Sequence, residues 1–295
     1  MKQAGSLFCT AIVMSLLSGC TAKKARATSS VKVTNGTQIS DGDYPAVVRI
    51  TIGNFACTAT FVTRSIIITA AHCVASGDPV FQGVTADRVA VHPAYSTGVS
   101  PNDLAFAQFP RDVAPAVATI RATPPKLNDP FEIVGYGLND TVSKTGAGTK
   151  RVGKNSIQDL SQGFISFEGT AFAGDGSGSD SASGSGDSGG PLFIGQQIAG
   201  ITSGGSAGGD RKASMYVNLH APANLDFIRK LGFVLGGPAA NQTPVSASNS
   251  TNGSAQSPAS QSPPIKTEVP PAQPSPIAAG GSGAAQVTSL PIDYN

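Results

Sequence analysis

Long hydrophobic runs, net charge and cysteine are all scarce in this sequence, and each shortage narrows what the chain can be. The apolar stretch at residues 7–17 follows Lys2 and is too short to span a bilayer, so it reads as the hydrophobic part of an export signal over residues 1–19. A formal net charge of +2 makes no electrostatic case for a nucleic-acid partner. Residues 236–295 have almost no charge and few aliphatics, being mostly Pro, Ser, Ala, Gly, Gln and Asn. Such a segment cannot bury enough apolar surface to offset its ordering entropy and is expected to be a disordered tail. What remains, residues 33–235, suits one all-β domain.

The signal ends in Leu17-Ser18-Gly19-Cys20, which resembles a bacterial lipobox, where small residues fit the signal peptidase and Cys20 receives diacylglycerol. The expectation is an envelope lipoprotein held to a membrane through Cys20, with residues 20–32 as tether or propeptide. Of the 4 cysteines, Cys9 lies in the signal, leaving Cys57 and Cys73 as an even pair in an exported chain and hence a predicted disulfide. Two cysteines without a second pair make no zinc site, and no metal or cofactor is expected.

Apolar and β-branched clusters recur at short intervals at 46–52, 61–69, 88–91, 104–109, 131–136, 163–167, 192–201 and 215–219, punctuated by Gly, Pro, Asn and Asp. No helical period appears between them, so the pattern predicts a largely antiparallel sandwich or barrel. Residues 221–231 alone have helical spacing, with Leu225, Ile228 and Leu231 on one face, and end at Gly232. The Pro-rich passage 110–130 is expected to join two halves.

Gly186-Asp187-Ser188-Gly189-Gly190-Pro191 sets a serine among glycines, where an unencumbered backbone can expose the hydroxyl and turn amide N–H groups toward a carbonyl. A serine is inert at neutral pH without a base and a group that orients the base. Thr69-Ala70-Ala71-His72-Cys73 supplies a histidine at a strand end, and Asn102-Asp103-Leu104-Ala105-Phe106 a carboxylate just ahead of an apolar strand. Each fragment alone is usually structural. The order histidine, aspartate, serine, with Cys57 sixteen residues before Cys73, is a strong joint signal.

In these residues the chain resembles the trypsin/chymotrypsin family. Further likenesses fall in family order: Asp43-Tyr44-Pro45, His92-Pro93, Gly135-Tyr136-Gly137, Gly200-Ile201-Thr202-Ser203-Gly204-Gly205 and Met215-Tyr216-Val217. The resemblance implies two six-stranded antiparallel β-barrels with the site between them and a C-terminal α-helix. It implies Ser188 as nucleophile, His72 as general base and acid, Asp103 as its orienting carboxylate, and the N–H groups of Gly186 and Ser188 as oxyanion hole. Substrate contacts are expected from Ala182, Ser183, Ser203, Gly204, Gly205 and Ser214, on protein or peptide substrates, by a monomer. Activation is expected by cleavage after Lys32, freeing Val33 to insert beside Asp187 and releasing the enzyme from its anchor.

The chain also departs from that family. Ala182 stands where a tryptic enzyme has aspartate, so a preference for Lys or Arg is disfavoured; Ser183 and Ser203 leave the pocket polar but neutral. Ser214 stands where the deepest pockets have glycine, Gly184 replaces a bracing cysteine, and Gly204 replaces an aromatic edge residue. Two competing readings are an α/β-hydrolase using Ser188, Asp210 and His220, and a protease-like domain that only binds. The hydrolase needs a strand before its serine and a helix after it, whereas a Gly/Ser loop precedes Ser188 and a strand-like run follows.

Overall fold

The computed structural model describes residues 33–237. The export signal at 1–19, the tether with Cys20 and Lys32, and all of the 236–295 tail except Gly236 and Gly237 lie outside the described residues.

The strands in chain order are β1 (Thr37–Gln38), β2 (Val47–Ile52), β3 (Phe55–Phe61), β4 (Ile66–Thr69), β5 (Val80–Phe81), β6 (Val84–Thr85), β7 (Arg88–Val91), β8 (Ala105–Gln108), β9 (Pro130–Gly135), β10 (Arg151–Ser156), β11 (Phe164–Thr170), β12 (Pro191–Ile194), β13 (Gln197–Gly208) and β14 (Arg211–Asn218). Two helices accompany them, α1 (Ala71–Val74) after β4 and α2 (Pro222–Lys230) after β14. They form two curled antiparallel sheets, β6-β5-β2-β3-β4-β8-β7 and β1-β10-β9-β12-β13-β14-β11. Each sheet has seven strands where six were expected. The additions are very short: β5 and β6 are two-residue strands, and β1 crosses from the start of the described chain to pair Thr37 with Val152 in the second sheet.

Residues 109–129 carry no strand and pass from the first sheet to the second, as the Pro-rich composition requires. Two apolar clusters expected as single units are split. Between Phe61 and Ile66 the Thr63 hydroxyl accepts the N–H groups of Ser65 and Ile66, closing a turn that separates β3 from β4. Gly195 and Gln196, both with positive φ, turn β12 back into β13. Strand β10 has no counterpart among the apolar clusters, because it reads Arg-Val-Gly-Lys-Asn-Ser and buries Arg151 completely.

One core fills the first sheet and a second, built around Ile133, Ile165, Phe167, Leu192 and Tyr216, fills the other. Helix α2 returns to the first, where Phe227 packs on His92 and Phe106. Its buried face is Asn224, Phe227 and Ile228, not the row Leu225, Ile228 and Leu231. Asn224 is drawn inward because its amide donates to Pro101 O and Asn218 O, both at 2.9 Å, and this rotates Leu225 and Leu231 toward the rim.

Candidate active site

The register of β4 on β8 pairs Thr69 with Ala105. An antiparallel pair so aligned brings the end of one strand beside the start of the other, so α1, which carries His72, and Asp103, just ahead of β8, meet at one corner. Asp103 is fully buried. Its Oδ2 accepts His72 Nδ1–H at 2.6 Å, and its Oδ1 accepts the His72 backbone N–H at 2.8 Å. The imidazole therefore presents Nε2 outward, and the His72 side chain is 31% exposed. The disulfide between Cys57 and Cys73 ties the turn bearing His72 to β3. These sulfurs lie near the ring, but a disulfide offers no thiolate to a metal ion.

Ser188 sits in the turn just ahead of β12. The neighbouring β13 holds this turn through Gly189 N–H to Thr202 O and Thr202 N–H to Gly190 O, both 2.9 Å. From the first sheet, Thr58 N–H donates to Ser188 O and the Thr58 hydroxyl to Gly186 O, both at 2.9 Å. The approach is close enough that a Cβ on Gly189 would lie 2.1 Å from Thr69 Oγ1 and 2.9 Å from Ala70 N. The serine turn is thus pressed against the strand end that leads into His72. Gly186 has φ +98°, a conformation L side chains rarely adopt, and it directs the turn that precedes Ser188.

Asp187 faces inward and is buried. Its two oxygens accept Gly137 N–H at 2.8 Å and Gly184 N–H at 2.6 Å, which braces the turn from behind. Burial pushes its carboxyl up to about 6, opposed by these N–H groups and by the charges of Lys212 and Arg151. Arg151 is in turn pushed down to about 9 by burial. Val33 is buried, and Thr34 bridges to Ala182 through N–H to O at 3.0 Å and through its hydroxyl.

The expected substrate residues divide into two groups. Ser203 donates its hydroxyl to Asp103 Oδ2 at 2.7 Å, so it supports the carboxylate that orients His72. Ala182, Ser183, Ser214 and Gly205 come together: Ser183 N–H and Oγ reach Ser214 Oγ at 3.0 and 3.1 Å, and Gly205 pairs with Ser214 across β13 and β14. Gly204 borders the exposed Val99. Asp180 is taken by a two-pronged ion pair with Arg211. His220 and Asp210 stand away from the serine turn's hydrogen bonds: His220 N–H donates to Asn218 Oδ1 ahead of α2, and Asp210 O accepts Ala171 N–H. The serine is followed by a strand in an antiparallel sheet, and this arrangement excludes the α/β-hydrolase fold.

Sequence reasoning missed Thr58. Its signal was faint, a polar residue fully buried in an apolar strand beside Cys57.

The sequence profile of the Trypsin family matches residues 33–225, which contain every group just described. The chain belongs to the trypsin family. It is 28% identical over 173 residues to a putative peptidase, Cgl1093, of Corynebacterium glutamicum, covering 58% of this chain and 60% of that protein. It is 23% identical over 143 residues to the serine protease Hayan of Drosophila melanogaster, covering 39% of this chain and 22% of that protein. The chain therefore spans about 60% of the length of its bacterial relative. Neuropsin, a serine protease expressed in the limbic system of mouse brain, shares the fold: TM-score 0.52 at 18% identity, covering 66% of this chain and 97% of that one.

Proposed function

We propose that the chain is a serine endopeptidase that works through an acyl-enzyme. The observation that carries this reading is the fully buried Asp103 carboxylate on His72 Nδ1 at 2.6 Å, at the corner against which the Ser188 turn is packed. Asp103 holds the tautomer that leaves Nε2 unprotonated and stabilises the imidazolium that follows. Ser188 Oγ bonds to the scissile carbonyl carbon as His72 Nε2 takes its proton. The Gly186 and Ser188 N–H groups stabilise the oxyanion. Collapse breaks the C–N bond, His72 passes the proton to the leaving amine, and water reverses the sequence on the ester.

The substrates are proteins or peptides, with no cofactor, and the enzyme acts as a monomer. A disulfide fits an oxidising compartment outside the cytoplasm, in keeping with export and anchoring through Cys20. Cleavage after Lys32 would free Val33 and detach the domain from that anchor; the buried position of Val33 beside the Thr34–Ala182 bridge supports it. Lys32→Gln should hold the protein in the membrane with little activity, and full activity with an intact Lys32-Val33 bond would remove the activation step.

The test of the main reading is hydrolysis of a peptide library together with labelling by a serine-directed phosphonate. Both should occur in the wild type and vanish in Ser188→Ala. A folded protein that does neither is a binding domain, not an enzyme.

A further inference from the structure

Strand β14 places a cation where the sequence pattern suggested only neutral groups. Lys212, Ser214 and Tyr216 are spaced two apart and so share one face of the strand. Three contacts fix where that face looks. Ser214 Oγ accepts from Ser183 N–H and Oγ, and the Tyr216 ring packs on Phe167 at 5.5 Å between centroids. Gly169 lies opposite Lys212 in the register of β11 on β14, and a Cβ there would meet Ser181 O at 2.4 Å and Ala182 N at 2.9 Å. The face therefore looks onto the 181–183 segment, which leads directly to Ser188, and Lys212 lies on that face.

The two basic neighbours on β14 have different fates. Arg211, on the opposite face, is bound by Asp180. The Lys212 side chain is half-buried and makes no hydrogen bond or ion pair with any described residue. The opposing charge acting on it is Asp187, whose two oxygens are already occupied by Gly137 and Gly184 N–H groups. Burial holds the Lys212 ammonium below its ordinary value and Asp187 offsets part of that. A cation partly stripped of water and lacking a close partner gains most from an anion that arrives with a ligand.

We propose that Lys212 selects the substrate residue whose carbonyl Ser188 attacks, favouring an Asp or Glu side chain that passes Ser183 and Ser214 to reach its ammonium. This deepens the peptidase reading and rests on it. Ala182 contributes to the same selectivity by carrying no charge: an aspartate there would neutralise Lys212 and remove the preference.

The test uses chromogenic peptides that differ only at that residue, as Glu, Gln, Ala or Lys. Wild type should turn over the Glu peptide with kcat/KM at least about tenfold above the Gln peptide, the yield of one charge-assisted hydrogen bond. Lys212→Met should bring that ratio to about one, Lys212→Arg should keep it, and Lys212→Glu should raise the Lys peptide above Gln. Lys154→Met, which removes an exposed cation of the same sheet, should leave the ratio as in wild type. A wild-type ratio near one overturns the proposal, as does a ratio that survives Lys212→Met. A uniform fall on every peptide in Lys212→Met, with the ratio preserved, would mean that Lys212 serves only Asp187 and also overturns it. Should Lys212→Met not fold, the wild-type ratio and Lys212→Arg decide. Failure of the peptidase reading looks different: no peptide is cleaved and no phosphonate labels Ser188.

Discussion

The Ser203 hydroxyl, on β13 of the second sheet, donates to Asp103 Oδ2 of the first at 2.7 Å, and so ties the two sheets together at the carboxylate that orients His72. Ser203→Ala removes one charge-assisted hydrogen bond from a fully buried carboxylate, a loss of about 1.5–3 kcal/mol. The expected result is a fall in kcat of roughly 10- to 100-fold with KM little changed, measured by steady-state kinetics on a single peptide.

Ser188→Ala and His72→Ala should each lower kcat/KM by about 10⁴-fold or more while leaving a folded protein, because neither the proton acceptor nor the nucleophile works without the other. His220→Ala provides the contrast. Its ring makes no hydrogen bond to His72, Asp103 or Ser188, so turnover should stay close to wild type. A comparable collapse at His220 would overturn the assignment.

Gly186→Ala places a side chain at φ +98° with its Cβ 2.9 Å from Gly137 Cα, so the turn must rotate and carry an oxyanion donor with it. Losing such a donor typically costs about 10²- to 10³-fold in kcat. Gly195→Ala, also at positive φ but in open space in the β12–β13 hairpin, should cost only about 1 kcal/mol of stability and leave kcat unchanged. Circular dichroism and kinetics on the two variants separate strain from catalysis.

Asp187 gives the pH prediction. Its folded carboxyl is pushed up to about 6 by burial, so the folded state holds the proton more tightly than the unfolded chain. The group's contribution to stability is then largest below about pH 4 and is lost as pH rises through about 6, in total about 2–3 kcal/mol. Denaturant titrations from pH 4 to 8 should show this slope in the wild type and not in Asp187→Asn. Identical profiles would place the group's ionisation elsewhere.

Much of the site could be read before the fold was known. A serine among glycines, a histidine at a strand end beside a cysteine and an aspartate opening a strand are local demands on backbone shape, and such demands are written in neighbouring residues. The same holds for three strands of the first sheet: alternation and turn chemistry mark β2, β7 and β8 within a residue or two. The boundaries that failed turn on side chains acting across the chain. Thr63 closes a turn inside an apolar run, and Asn224 rotates α2 by reaching back to Pro101. Strand β10 hides because its inward positions are Arg151 and Gly153, not aliphatics.

The sequence by itself determined the family and the cysteine pair and singled out His72, Asp103 and Ser188 as candidates, since each rests on residue type and order. Only the tertiary structure decided what the supporting groups do. Ser203 and Asp103 are 100 positions apart, and Thr58 is 128 from the Gly186 carbonyl it holds. Strand pattern assigns a side chain to one of two faces. Which distant segment waits on that face depends on the register of every strand between, and those registers set Ser203 on Asp103, Thr58 under the serine turn and Lys212 on the face toward residues 181–183.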